Sequence, residues 1–515
     1  MNILNPSKGV NYYAFIAKND FKIKFKVPSD LGFSHDTISF SSKDNPEIQS
    51  GDIEISESNI GLLSHTGRFE WNVYDSDGKS VLNKYIDIAP YTGNVGDTNI
   101  EETLDENAVF GDDYTVSYGF YDASSGHFSS LTNHDQSYVY VTKNLENWMG
   151  SLIKENDKYG NCPLNTFALA GSHDTGMYTA DEAMQIIDSN QYTNFISQLS
   201  NDKLESYHID LTQEQIVNLK EDIKTLQNVI KNHGVDILVN LAMTQKDGIT
   251  AQLRLGIRYF DIRPGFCAYA DDFVRPTTVK DALDSDINNL YHQHKLVPGR
   301  NIDHLISTII EWLQDNPTEI IVVSLNFQGF LFTEMKPTPD FLNQYIAKLN
   351  DKSGIKLGNK SDLNTSYNNL IKDNKRLIFL NQIGESADAA KYDSYTKTAY
   401  ETTDVTKIIG ALNAMSSDVQ KNGDYTVLQL QATANALISN DFDSSFTFNH
   451  RSSPLMSTKA MFDAKTYTWI YENVLDNFDK DQLIVFLNDF SDNALANQSM
   501  IISKNRMDKY LAKKG

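Results

Sequence analysis

The sequence has only two cysteines, Cys162 and Cys267, among its 515 residues. This scarcity excludes a disulfide framework and a zinc site built from several cysteines. No apolar run approaches the roughly 20 residues that a membrane-spanning helix needs. The N-terminal stretch MNILNPSKGVNYYAF lacks a charged region followed by an apolar one, so we predict no signal peptide. We expect a cytoplasmic or peripheral membrane protein, with leaderless secretion and prior trimming of a precursor left open.

Basic residues are also in short supply, since 45 Lys and Arg face 68 Asp and Glu, for a net charge of −23. A surface this acidic repels phosphate backbones, which argues against a nucleic-acid partner. It also disfavours anionic membranes unless a local basic or aromatic patch makes the contact. In contrast, 26 Tyr and 26 Phe can fill a large core and argue against disorder. The length predicts at least two domains.

Residues 1–143 are predicted to form a β-sandwich-like docking or regulatory domain. The stretch FKIKFKV (21–27) alternates apolar and charged residues, which is typical of a half-buried strand. Two further strand-like runs flank Asp75-Ser76-Asp77-Gly78, which indicates a hairpin. Short strands separated by turns favour a β-sandwich. The acidic, turn-rich stretch 93–113 is predicted to be a long surface loop.

Residues 144–515 are predicted to form an α/β fold, an irregular (β/α)8 TIM-type barrel. Nearly continuous apolar runs, typical of parallel strands buried on both faces, alternate with helical patterns. The predicted strands are 166–171, 256–263, 288–292, 319–327, 376–382, 426–431 and 482–489.

Two helices of this region are predicted in more detail. One is expected to be capped by Asn301 or Asp303 and to stop at Pro317. An amphipathic helix over 211–234 is expected to pack on the barrel, with a membrane-facing lid as the alternative.

Polar residues follow the predicted strands at their C-terminal ends, which in a barrel enzyme form the catalytic face. Two histidines, an arginine and several carboxylates can together accept a proton, donate a proton and stabilise a phosphoryl anion. These residues are His173, Asp174, Asp261, Arg263, His292, Asn326 and Asp489.

Four segments carry a resemblance to a known family. LAGSHDTGMY, LGIRYFDIRPG, LYHQHKL and DNPTEIIVVSLNF, in this order, resemble the X-type catalytic region of phosphatidylinositol-specific phospholipases C. The resemblance covers about residues 145–510 and implies a (β/α) barrel that cleaves a phosphodiester. The implied substrate is a phosphoinositide-type phospholipid, which the protein would reach by transient contact with a membrane surface. The implied products are diacylglycerol and a (cyclic) inositol phosphate. Whether water then opens the cyclic product in a slower second step, with the histidine roles reversed, stays open.

The resemblance implies a role for each residue that matches its motifs. His173 would be the general base that deprotonates the inositol 2-hydroxyl, and Asp489 would hold its tautomer. His292 would be the general acid that protonates the leaving oxygen. Asp174 would support His292 and Arg263 rather than its own neighbour, His173.

Arg263 would neutralise the developing negative charge, and Asp261 would help to orient the site. The alternative is that these two form a structural ion pair at the barrel mouth. Calcium-using relatives carry a carboxylate where Arg263 stands, and calcium needs several oxygen ligands. We therefore predict an enzyme without metal or cofactor. Bacterial members carry a lysine where Asn326 stands and an arginine where Gln382 stands, so the head group stays open.

Several alternatives follow from the residues. His294 competes with His292, because residues two apart on a strand face the same way. Asp492 competes with Asp489 as the partner of His173. The functional alternatives are a catalytically inactive barrel that binds lipid or a partner, and a hydrolase of another phosphodiester lipid. The latter includes a metal-dependent glycerophosphodiester or sphingomyelin-type enzyme. Such an enzyme needs an oxygen-rich metal cluster, and Arg263 argues against one. The oligomeric state stays open.

Overall fold

The structure of the protein is a computed structural model that describes most of the chain. The described residues are 9–28, 35–42, 47–54, 67–88, 95–101, 106–123, 134–181, 239, 242–270, 272–330, 332–383, 389–395, 402–417, 422–433, 453, 455–478 and 482–514. The helix predicted over 211–234 lies outside them.

The N-terminal region consists of ten described strands in two five-stranded sheets. The strands are β1 (Gly9–Ile16), β2 (Lys22–Pro28), β3 (His35–Ser41), β4 (Gln49–Glu54), β5 (Gly67–Tyr74), β6 (Ser80–Ile88), β7 (Val95–Thr98), β8 (Ala108–Phe110), β9 (Tyr114–Tyr121) and β10 (Asp135–Lys143). The outer sheet has the order β3-β2-β5-β6-β7, and the inner sheet has the order β4-β1-β10-β9-β8. Neighbours pair antiparallel except β1 and β10, which pair in parallel.

The hairpin predicted in this region is confirmed, whereas the long surface loop is wrong. Asp75 Oδ1 accepts the N–H groups of Asp77 and Lys79, and Gly78 takes a positive φ of 77°, so the turn closes between β5 and β6. The stretch 93–113 contains β7 and β8, which pair with the edges of the two sheets. Apolar residues such as Val109 within the acidic stretch make these short strands possible.

The central strands of the inner sheet, β1, β9 and β10, are buried on both faces. On β10, Val139 and Val141 belong to the core cluster shared with the outer sheet, whereas Tyr138 and Tyr140 belong to the large core of the C-terminal region. Successive side chains of a strand point to opposite faces, so the inner sheet lies between the outer sheet and the C-terminal region.

Eleven strands are described in the C-terminal region. They are β11 (Ala168–Ser172), β12 (Tyr259–Ile262), β13 (Pro264–Phe266), β14 (Leu290–His294), β15 (Val297–Asn301), β16 (Ile321–Leu325), β17 (Leu357–Gly358), β18 (Leu377–Asn381), β19 (Tyr392–Asp393), β20 (Tyr425–Gln429) and β21 (Leu483–Asn488). Eight form a parallel sheet in the order β17-β18-β16-β12-β11-β21-β20-β19. The fold is therefore mixed α/β, and six of the seven predicted strands lie in this sheet.

The predicted strand 288–292 is the exception. It forms β14 of a three-stranded antiparallel sheet, β13-β14-β15, instead of joining the parallel sheet. The reason is that the chain forms β13 directly after Arg263, and Pro264 pairs with His292. This antiparallel pairing brings His292 next to the end of β12.

Nine α-helices pack around the strands of the described chain. They are α1 (Trp148–Glu155), α2 (Ile249–Arg254), α3 (Val279–Leu283), α4 (Ile302–Asp315), α5 (Pro339–Asn350), α6 (Tyr367–Lys372), α7 (Val405–Ser417), α8 (Met456–Asn477) and α9 (Asn493–Lys514). Asn301 caps α4, because its side chain accepts the N–H of Asp303. No described helix combines the length and the apolar character needed to cross a membrane.

Candidate active site

A small open pocket lies where the parallel strands of the C-terminal region end. Of the predicted site residues, its lining includes His173, Asp261, Arg263, Asn326 and Gln382. Their convergence follows from the topology, because the carboxyl ends of parallel strands meet at one edge of the sheet.

His173 and Asp489 form a close pair at this edge. β11 and β21 run parallel, and Ser172 lies opposite Asn488. The residues that follow these two, His173 and Asp489, are therefore neighbours. His173 Nδ1 is 2.7 Å from Asp489 Oδ1. Asp492, the alternative partner, instead lies at the start of α9. Asp489 is therefore the carboxylate in position to fix the tautomer of His173.

Arg263 is the centre of a buried set of charges. Its Nη1 is 2.8 Å from Asp174 Oδ1, and its Nη2 is 2.8 Å from Asp261 Oδ2 and 3.1 Å from His173 Nε2. Asn326 completes the set by donating from Nδ2 to Asp261 Oδ1 at 2.6 Å. The two carboxylates thus hold the guanidinium against the imidazole that faces the pocket.

Asp174 contacts more residues than the sequence predicts. Its backbone adopts a left-handed φ of 43°, and its N–H donates to Asp261 Oδ2 at 3.2 Å. The carboxylate lies 3.3 Å from His292 Nε2, as expected. However, Asp174 Oδ2 also lies 3.3 Å from His173 Nε2, so the expectation that it avoids its neighbour is wrong. The left-handed turn folds the side chain back towards His173.

The structure places both histidines of β14 beside Asp174. His292 is 0% exposed, and its Nδ1 accepts the N–H of Arg263 at 3.3 Å. The side chain of His294 is 22% exposed, and its Nε2 lies 3.9 Å from Asp174 Oδ2. His292 is therefore within hydrogen-bond distance of Asp174, whereas His294 lies beyond it and is more exposed.

The pocket shifts the pKa values of these histidines in opposite directions. Burial would lower the pKa of His173, but the carboxylates of Asp174 and Asp489 outweigh it and raise the pKa to about 9. Burial lowers the pKa of His292 and brings that of His294 to about 4. At neutral pH the resting site therefore favours a charged His173 and neutral histidines on β14.

The opposite side of the pocket is formed by neutral groups. Gln382 donates from Nε2 to Ser324 Oγ at 2.7 Å and to Tyr425 Oη at 2.8 Å. Gln328 donates from Nε2 to Tyr392 Oη at 2.7 Å. Sequence reasoning missed Gln328, although it follows a predicted strand, and it missed Tyr392, whose two-residue strand has no sequence signal.

Two further residues that sequence reasoning missed support the turn carrying His173. Gln245 donates from Nε2 to the carbonyl of His173 at 2.8 Å, and Thr244 donates from Oγ1 to the same oxygen at 3.2 Å. Gln245 Oε1 also accepts the N–H of Ser491. These bonds join the turns after β11 and β21, so they stabilise the spacing of the histidine–aspartate pair.

One group of residues has the spacing of a metal site. His173, Asp174 and Asp261 offer ligand atoms that all lie within 4.8 Å of one another. The guanidinium of Arg263, however, lies 2.8 Å from both carboxylates. A calcium ion needs six to eight oxygen ligands at roughly 2.3–2.6 Å and would have to displace this positive group. The arrangement therefore suits an arginine-based site better than a calcium site.

The chain is similar in sequence to curated proteins of one family. It is 23% identical over 185 residues to the human PI-PLC X domain-containing protein 1, a match that covers 36% of this chain and 43% of the human protein. The mouse protein of the same name is 21% identical over 183 residues, covering 35% of this chain and 39% of the mouse protein. The chain thus spans less than half the length of these relatives. A scan against protein-family models gives no match.

Among solved structures, a phosphatidylinositol-specific phospholipase C from Staphylococcus aureus matches with a TM-score of 0.38 and 15% identity, over 70% of this chain and 97% of that chain. A mutant of the same enzyme matches with a TM-score of 0.39 and 14% identity, over 70% and 98% of the two chains. The sequence relatives confirm the resemblance to the PI-PLC X-domain family that the motifs indicate.

Proposed function

Starting from this similarity to PI-PLC X domain-containing proteins, we propose that the chain is a phosphodiesterase of the phospholipase C type. The proposed reaction cleaves a phosphoinositide-type lipid to diacylglycerol and a (cyclic) inositol phosphate. The observation that carries the proposal is the His173–Asp489 pair with the Arg263 guanidinium 3.1 Å from the imidazole. A base, an orienting carboxylate and an anion stabiliser thus meet in one pocket.

In the proposed first step, the neutral form of His173, which is the minor form below its pKa of about 9, takes the proton of the inositol 2-hydroxyl through Nε2. The oxygen attacks phosphorus, the bond from phosphorus to the glycerol oxygen breaks, and a general acid protonates that oxygen. Asp489 holds the Nδ1–H of His173, so in the neutral imidazole Nε2 is the unprotonated nitrogen that accepts the proton. Arg263 stabilises the charge that builds on the phosphoryl oxygens, because a guanidinium can bridge two of them.

The general acid is a histidine of β14. We assign His292 to this role on its motif and on its contact with Asp174 at 3.3 Å. His294 is the second candidate, because its side chain is 22% exposed whereas His292 is fully buried. An acid has to reach the leaving oxygen, so exposure favours His294 and hydrogen bonding favours His292.

The resting protonation supports a second step in which water opens the cyclic product. With a charged His173 and a neutral His292, the site holds the proton on the residue that would donate it to the 2-oxygen. The neutral histidine would then accept a proton from the attacking water. The same two groups thus serve both steps with exchanged roles.

The proposal extends to the architecture. We propose that the eight-stranded parallel sheet belongs to an irregular (β/α)8 barrel over residues 144–515 and that residues 1–143 form a β-sandwich-like domain. The order of the parallel sheet supports the barrel. It runs from β11 through β12 and β16 on one side and through β21 and β20 on the other. The core cluster shared by the outer and inner sheets supports the β-sandwich-like domain. We further propose a peripheral, metal-independent enzyme.

A vesicle assay tests the proposed function. The full chain is incubated with a panel of phospholipids, including phosphatidylinositol, phosphatidylcholine and sphingomyelin, with and without chelator. We expect release of a water-soluble inositol phosphate from the inositol lipid, and we expect chelator to leave this release unchanged. Release from another lipid alone would support the second candidate function, a different phosphodiester lipase, which the neutral Asn326 and Gln382 favour. No release from any lipid would contradict both.

Alanine variants of the three histidines identify the acid and the base. Loss of a general acid or base costs about 10²–10⁴-fold in kcat. We expect this loss for His173→Ala and His292→Ala, and a much smaller one for His294→Ala. The reverse order for the two β14 variants would transfer the acid role to His294. Full activity in all three would contradict histidine catalysis.

A further inference from the structure

A buried charged cluster lies behind the catalytic pair, at the boundary with the N-terminal strands. Lys459 Nζ of α8 is 2.6 Å from Asp463 Oδ2 and 2.5 Å from Asp492 Oδ2. The three residues are 4%, 1% and 1% exposed. Buried charges are costly unless their remaining hydrogen bonds are satisfied. The cluster therefore depends on the neutral groups that surround it.

Asn488 connects this cluster to both members of the catalytic pair. Its Nδ2 donates to Asp463 Oδ1 at 2.9 Å, and its Oδ1 accepts the N–H of Asp489 at 3.0 Å. Its carbonyl accepts the N–H of His173 at 3.1 Å. The side chain of Asn488 is thus held by the cluster, while its backbone and amide oxygen hold the two residues that face the pocket.

Tyr140 connects the same cluster to the inner sheet. Its hydroxyl donates to Asp463 Oδ2 at 3.1 Å, and the residue is 0% exposed. Lys459 Nζ lies 5.4 Å and 5.9 Å from the ring centroids of Tyr138 and Tyr140, within the range of a cation–π contact. An unbroken series of contacts therefore runs from β10 through Asp463 and Asn488 to the pocket.

A second contact between the same two regions reaches the catalytic turn from another direction. The N–H of Asn107, just before β8, donates to Asp247 Oδ1 at 3.2 Å, and Lys246 Nζ donates to the carbonyl of Asn107 at 3.5 Å. These residues directly follow Gln245, which holds the carbonyl of His173. The N-terminal strands thus support the turn after β11 as well as the end of β21.

We infer that Tyr140 is a positioning residue: its hydroxyl orients Asp463, which through Asn488 fixes the geometry of His173 and Asp489. The N-terminal strands then form part of the active-site scaffold in addition to any docking role. The kinetic consequence rests on the proposed function. The structural consequence, a change in the environment of His173, does not.

Tyr140→Phe tests this inference, with Tyr138→Phe as the matched control. Tyr138 lies two residues earlier on β10, and among the described residues its hydroxyl has no hydrogen-bond partner. Both substitutions keep the ring over Lys459 and remove one oxygen. We expect Tyr140→Phe to lower kcat about 2- to 30-fold, the range of mutations along a coupling network, with KM unchanged. Tyr138→Phe should leave both constants at the wild-type value.

The titration of His173, followed by NMR in the full chain, gives the second readout. Weaker pairing with Asp489 stabilises the imidazolium less, so Tyr140→Phe should lower the pKa of His173 from its wild-type value. A role limited to stability would lower the melting temperature and leave this pKa unchanged. The titration also separates two failures, because a wild-type chain without turnover refutes the proposed function while the pKa comparison still decides the role of Tyr140.

Asp463→Asn is the second variant, and it keeps the size of the side chain. It should reproduce both the loss of kcat and the lower pKa of His173. The inference is overturned if Tyr140→Phe and Asp463→Asn both keep the wild-type kcat and His173 titration. It is also overturned if Tyr138→Phe changes them as much as Tyr140→Phe does.

Discussion

The pocket has a charged side and a neutral side, and the two sides carry different parts of the proposed chemistry. The charged side is built from the turns after β11, β12 and β21, and the neutral side from β16, β18, β19 and β20. The charged side consists of His173, Asp174, Asp261, Arg263 and Asp489. The neutral side includes Ser324, Gln328, Gln382, Tyr392 and Gln429.

The charged side can carry out the proposed reaction, whereas the neutral side can select the substrate. The charged groups can move protons and stabilise an anion on a phosphodiester whose neighbouring hydroxyl attacks it. The neutral amides can select a head group by hydrogen bonds, which contribute less than charged contacts. The side that matches the family motifs is the charged one. The neutral side carries Gln382, where the resemblance implies an arginine in bacterial members.

Removal of the base should have the largest effect. His173→Ala should lower kcat by about 10²–10⁴-fold, because it removes the proposed general base. Steady-state kinetics on the preferred lipid measure this loss. His304→Ala, an exposed histidine on α4, is the control and should behave as wild type. Equal activity in the two variants would remove His173 from the mechanism.

Arg263→Lys should have the next largest effect, a loss of about 10²–10³-fold in kcat, comparable to the loss of an oxyanion-stabilising donor. A lysine keeps the charge but lacks the fork that contacts Asp174 and Asp261 with separate nitrogens. The exposed Arg275→Lys serves as the control in the same kinetic assay. Wild-type kcat in Arg263→Lys would show that charge alone suffices.

Asp489→Asn should lower the pKa of His173 from about 9 towards its ordinary 6.5, because the variant loses a carboxylate that stabilises the imidazolium. NMR titration of the histidines measures this shift. A raised folded-state pKa contributes stability that is complete below about 6.5 and is lost as the pH rises through about 9. The free energy of unfolding should therefore fall less steeply between these pH values in the variant. An unchanged pKa would mean that Asp174 alone sets it.

Gln382→Ala on the neutral side should have the smallest effect. A single neutral hydrogen bond contributes about 0.5–1.5 kcal/mol, so we expect KM to rise by about 2- to 10-fold with kcat nearly unchanged. Comparison of inositol lipids with and without head-group phosphates shows which one loses affinity. A fall in kcat as large as that of His173→Ala would erase the distinction between the two sides.

The charged side is the part of the site that could be predicted from the sequence. His173, Arg263 and Asp489 each end or follow an apolar run, and parallel strands bring such residues together. The choice between Asp489 and Asp492 required the pairing of β21 with β11, because both residues follow the same strand. The sheet to which β14 belongs could not be predicted, because its apolar run has the same pattern as those of the parallel strands.

The rest of the site depends on contacts between residues far apart in the chain. Tyr392 enters the pocket from a two-residue strand that has no periodicity to detect. Tyr140 lies in the region predicted to form a β-sandwich-like domain, but nothing in its sequence indicates that it contacts Asp463, 323 residues later. Such contacts follow from tertiary packing and leave no local pattern.

The most direct test of the central claim is phosphorus NMR of the products formed from phosphatidylinositol in the presence of chelator. The two-histidine account predicts a cyclic inositol phosphodiester that appears first and is then converted to the open phosphate, with neither product formed by His173→Ala. Direct formation of the open phosphate with no cyclic species, or products that appear only when calcium is added, would contradict it.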